Sequence, residues 1–155
     1  MAKRPPSPTN VCTGRRHASS NSIYQLVRDK HVNQLIVMIE GGIKVCVIRH
    51  LPEALRATLI LVADLLGVND RTIQRLLKNG PHGTVSRHIG ERSIRLLQIR
   101  QKAIDVLDTE EYALAWLHEP NATVAGRAPI AHARTELGCR QIESILDRVD
   151  QSAFS

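Results

Sequence analysis

The 155-residue sequence is poor in aromatics: one Trp, two Tyr and one Phe make up 3% of it. A core must then be built mostly from Leu, Ile, Val and Ala, which favours packed helices over a β-sandwich. No apolar run reaches the roughly 18 residues that would suggest a membrane span. The basic residues near the start are followed by no apolar stretch, so no secretory signal is expected. Three cysteines, Cys12, Cys46 and Cys139, are odd in number and far apart, which argues against a disulfide framework and for a cytoplasmic location. Neither Cys-x-x-Cys nor His-Glu-x-x-His occurs among the seven scattered histidines, so metal ligation has no support from spacing. Gly80-Pro-His-Gly83 lacks the Gly-Lys-Ser/Thr of a phosphate-binding loop. Cys46 lies in an apolar run, the setting of an inert buried thiol rather than of a nucleophile. No catalytic residue, no metal and no cofactor is expected, and the chain reads as a non-enzyme.

What is present is charge, unevenly placed. The net charge of +6 points to an anionic partner. Residues 1–22 hold Lys3, Arg4, Arg15 and Arg16, no acid and three prolines, and read as a disordered basic tail. Residues 23–70 balance. Residues 71–102 hold Arg71, Arg75, Lys78, Arg87, Arg92, Arg95, Arg100 and Lys102 against Glu91 alone. Residues 103–155 carry an excess of acid. A basic middle and an acidic end suggest two partners of different kinds.

The apolar pattern is helical throughout. Ile23, Leu26, Val27, Leu35, Ile36 and Ile39 predict a first helical stretch stopped at Gly41-Gly42. Residues 43–51 are β-branched but have no strand to pair with, so a short helix is expected, with Pro52 in the first turn of the next. Thr58 can cap a helix Leu59 to Leu66, ended by Gly67. Asn69 or Asp70 can cap another from Arg71 to Lys78. A long helix is expected from about Glu91 to Leu107, one from Thr109 to near His118, one from Pro129 stopped by Gly138, and a last from Cys139 to Val149. The fold class is all-α, with about eight helices.

The segment Thr58 to Leu77 reads as helix, tight turn, helix. Ala63 is small where the helices cross, Gly67 suits a positive φ, Val68 plugs the gap, and Ile73, Leu76 and Leu77 hold the second helix on the core. Arg71, Thr72, Gln74, Arg75 and Lys78 are the candidate DNA-binding residues. In such motifs the second helix enters the major groove, where Arg can read guanine and Gln adenine. Arg87, Arg92 and Arg95 would suit phosphates. The near-neutral apolar helices of residues 23–50 are the candidate homodimer surface for a palindromic operator.

Residues 112–138 carry Ala113, Trp116-Leu117, Pro120-Asn121, Gly126, Pro129, Thr135 and Gly138. This spacing resembles the C-terminal domain of the Xre/MbcA/ParS antitoxins, partners of RES-domain toxins. With the preceding Xre-like helix-turn-helix, the resemblance covers about residues 23–155. The sequence departs from the family in having Ser152 where Gly is usual, and in an imperfect match around Ile89 to Ile94. Residues 1–22 lie outside the pattern. The resemblance implies a helix-turn-helix and dimerisation domain at 23–107 and a toxin-binding domain at 108–155, the extreme C-terminus plugging the active site of an NAD-consuming toxin. Arg148, Asp150, Gln151, Phe154 and Ser155 are then the candidate toxin-binding residues. The competing expectation is a stand-alone helix-turn-helix regulator whose C-terminal domain oligomerises or senses a ligand. Trp116 and Leu117 are expected to pack the core. The partners expected are therefore a RES-domain toxin, operator DNA and a second copy of the chain, with no membrane.

Overall fold

A computed structural model describes residues 27–28 and 31–153. The basic tail of residues 1–22, Phe154 and Ser155 lie outside them. Among the described residues the chain is all-helical, with no strand. The helices are α1 (Val32–Glu40), α2 (Val45–Ala54), α3 (Leu59–Leu66), α4 (Asp70–Lys78), α5 (Arg87–Leu107), α6 (Glu110–His118), α7 (Pro129–His132) and α8 (Glu136–Ala153), with a 3-10 turn at Ala122–Val124. None of them is long and apolar enough to cross a membrane.

The 21-residue α5 is the spine, packing against α1, α2, α3, α6 and α8. Its buried Ile94, Leu97 and Ala103 join Ile48, Leu51, Leu66, Leu114, Ile142 and Leu146 in one continuous apolar core. Aliphatic side chains do nearly all of this packing; Trp116 is half-buried against it and Leu117 fully buried. The β-branched stretch Val45, Val47 and Ile48 is helical because α2 is buried on almost every side, which overrides its strand propensity.

Some local expectations are corrected. Pro52 lies within α2, two residues before its end, and opens no new helix. The Leu55 amide still bonds the Leu51 carbonyl and the turn closes through Ala57 N to Pro52 O, at 2.9 Å each, so the ring is tolerated where the helix is already finishing. On α1, Leu35 is the buried contact, while Val32, Ile36 and Val37 are exposed. Cys46 is buried in the core, as its place in an apolar run suggested. Gly138 stops nothing: α7 ends at His132, and α8 runs through Gly138 from Glu136 to Ala153.

The reason at Gly138 is close approach. A Cβ on Gly138 would overlap the carbonyl group of His132. Thr135 fixes the join: its Oγ1 accepts from the Gly138 amide at 3.0 Å and its carbonyl accepts from Cys139 N at 3.0 Å. That is the bond set of a helix N-cap.

Candidate functional site

The α3–turn–α4 segment forms from its local signals. Thr58 Oγ1 accepts from Leu61 N at 3.2 Å and starts α3. Gly67 ends it at φ 70°, ψ 32°, the left-handed conformation that glycine takes without a steric cost. Asn69, not Asp70, caps α4, its Oδ1 accepting from Thr72 N at 2.8 Å. Asp70 then sits in the first turn, where a negative charge complements the helix dipole. Ala63 and Ile73 are each 1% exposed where α3 and α4 cross.

On the outer face of α4, Arg71, Gln74, Arg75 and Lys78 are exposed, and Thr72 is half-buried beside them. The four exposed side chains share a surface that long donors can extend from. A residue not anticipated from the sequence supports this helix from behind. Arg49 of α2 donates through Nη2 to the Leu77 carbonyl at 2.7 Å, satisfying one of the last carbonyls of α4.

The basic stretch divides at α5. Arg87 is exposed and pairs with Glu91 at 3.0 Å. Arg92 and Arg95, expected to face phosphates, are turned inward. Arg92 donates through Nε to the Leu65 carbonyl at 2.9 Å and through Nη2 to the Arg134 carbonyl. Arg95 reaches Glu143 at 2.9 Å and Glu136 at 3.4 Å. Arg100, 2% exposed, donates through Nε to the Ala54 carbonyl at 2.8 Å and pairs with Glu110 at 2.7 Å. Lys102 pairs with Asp147 at 2.6 Å. Much of the basic middle therefore meets the acidic end of the same chain. Its charges are a seam, where the sequence suggested two separate external partners. Arg134–Asp64 at 2.5 Å ties the residues after α7 to α3, and His118 Nε2 lies 2.7 Å from the Leu55 carbonyl at the end of α2.

A cavity of about 360 Å³ lies on this seam, lined in part by His88, Arg92, Arg95, Glu136 and Cys139. Burial pushes the Cys139 thiol up from its ordinary range, the neighbouring Arg95 guanidinium acting against that, and the thiol donates to the Ala133 carbonyl at 3.6 Å. A protonated, buried thiol is a poor nucleophile. Among the described residues no cluster of His, Cys, Asp and Glu is arranged to hold a metal ion.

In the C-terminal part, Thr109 caps α6, accepting from Tyr112 N at 3.2 Å. Asn121 organises the turn that follows, its Oδ1 accepting from Thr123 N at 2.9 Å. Gly126 turns at φ 72° and Pro129 opens α7. The final helix continues to Ala153, beyond the expected Val149. Arg148, Asp150 and Gln151 are thus exposed helical residues rather than a loose tail. Phe154 and Ser155 lie outside the described residues. α4 and the end of α8 thus carry the two sets of candidate residues on different elements.

Residues 102–151 match the model of the antitoxin Xre/MbcA/ParS C-terminal toxin-binding domain. A search of curated proteins finds no match. The matched family is one of binding domains, so its chemistry is recognition of a protein. From the second half of α5 to near the end of α8, the chain is similar to the toxin-binding domain of an antitoxin, which supports an antitoxin role with a toxin protein as partner.

Proposed function

We propose that the chain is an antitoxin that neutralises a RES-domain, NAD-consuming toxin and represses its own operon. In this reading residues 108–155 occlude the toxin's active site, with Arg148, Asp150, Gln151, Phe154 and Ser155 as the inserting end. Residues 23–107 bind a palindromic operator as a homodimer through Arg71, Thr72, Gln74, Arg75 and Lys78, and the protein works in the cytoplasm. The observation that carries the proposal is the match over residues 102–151 to a toxin-binding domain, following a capped helix-turn-helix. The exposed apolar residues of α1, Val32, Ile36 and Val37, support a second copy as a further partner.

The proposal is tested first by whether a RES-domain protein is encoded beside this chain, and then by co-expression of the two. Deleting residues 148–155 is expected to weaken inhibition of NAD consumption by at least tenfold. Unchanged inhibition would refute the inserting end. For the operator, Arg71→Ala and Arg75→Ala are each expected to weaken binding by about 1–3 kcal/mol in a gel shift at fixed salt. Unchanged shifts would remove α4 as the reading helix. A stand-alone regulator would bind operator normally and leave the toxin uninhibited even at full length.

A further inference from the structure

Helix α8 divides into three faces at its 100° per residue. Cys139, Ile142, Ile145 and Leu146 are buried in the core. Glu136, Glu143 and Asp147 lie on a second face and are consumed by the seam, pairing with Arg95 and Lys102, while Arg140 pairs with Glu136 at 3.2 Å. The third face is Leu137, Gln141, Ser144, Arg148 and Gln151, spaced i, i+4, i+7, i+11 and i+14, and every one is exposed. This stripe is about 21 Å long at 1.5 Å per residue. It carries no acid and a single cation.

Leu137 heads the stripe and is 79% exposed, more than any other large apolar residue described. A lone exposed leucine is ordinary on a protein surface. Here it heads a stripe without acids, with Arg140 beside it at i+3, and interface centres are poor in Asp and Glu and enriched in Arg. Its backbone is also held firmly. Gly138, packed against the His132 carbonyl, and the Thr135 cap fix the first turn of α8. An anchor presented by a rigid turn loses little entropy on docking.

We propose that the toxin docks along this stripe, with Leu137 as the apolar anchor filling a hydrophobic pocket of the toxin and Gln141 and Ser144 facing its uncharged polar rim. The occupant follows from position: the stripe lies within the segment matching a toxin-binding domain, and it runs into Arg148 and Gln151, which the proposed function gives to the same partner. The inference rests on the antitoxin reading and extends its contact surface by three helical turns.

The test uses the full-length chain and a purified RES-domain toxin that it inhibits on co-expression, with affinity read by calorimetry. Leu137→Asp is expected to weaken binding at least tenfold, and Leu137→Met to retain it. Because the side chain is exposed, the thermal midpoint of the free protein should not move. Ile60→Asp, at a residue 69% exposed on α3 and outside the matched segment, is expected to leave toxin affinity unchanged. Wild-type affinity in Leu137→Asp would overturn the docking stripe and leave the antitoxin reading standing. So would a change in self-association of the free chain with toxin affinity intact. Failure of the wild-type chain to bind would overturn both.

Discussion

Replacing Arg100 with leucine is expected to destabilise the fold by about 3 kcal/mol, read from urea unfolding at neutral pH. The side chain is 2% exposed and serves two partners on different elements, the Ala54 carbonyl at the end of α2 and the Glu110 carboxylate at the start of α6. Leucine keeps much of the apolar volume, so packing is not the main loss. What it removes is the donor for a carbonyl at a helix end, and an unsatisfied buried acceptor costs about 1–3 kcal/mol. It also removes the counter-charge of Glu110. That carboxylate is more than half exposed and water can solvate it, which limits its share. The effects should therefore be unequal: in Glu110→Gln the buried guanidinium loses its counter-charge but keeps the Ala54 carbonyl and can still donate to the amide oxygen, so a smaller loss of about 1–2 kcal/mol is expected. Equal losses for the two variants would place the stability in the ion pair instead of in the carbonyl bond.

Gly138→Ala is expected to cost about 3 kcal/mol or more, beyond the usual range for an extra methyl because backbone, not a side chain, stands in its way. Its sign is the informative part. In an unobstructed helix interior, alanine would stabilise by roughly 1 kcal/mol over glycine. Here the added carbon would overlap the His132 carbonyl, so either α7 or the first turn of α8 must shift. Thermal unfolding of the single variant distinguishes the two cases. A neutral or raised midpoint would mean that the α7–α8 junction is not packed as described.

These two residues also mark what could be read from sequence and what could not. The bounds of α3 and α4 were legible because their determinants are local: a threonine three residues before the amide it caps, a glycine at the turn, an asparagine before the second helix. Thr109 was legible for the same reason. Gly138 was not. Glycine at a helix end and glycine at a close crossing look identical until a segment six residues earlier is placed against it. Expecting α8 to begin at Cys139 hid Leu137. Once the helix starts at Glu136, Leu137 falls outside the stripe of Ile142, Ile145 and Leu146, and the same sequence signals its exposure. Arg92, Arg95 and Arg100 were misleading because, Glu110 apart, their partners lie 27 to 48 residues away along the chain. Charge counted along a sequence says nothing about which charges fold onto one another.

That seam bears on how such proteins can exchange parts. The stretch matching the toxin-binding domain begins at Lys102, yet Arg95 and Arg100, which neutralise Glu110, Glu136 and Glu143, precede it. A graft cut at that point would carry the acids away and leave their cations behind. Recombination between relatives, natural or engineered, would transfer toxin recognition intact only if the whole of α5 travelled with it.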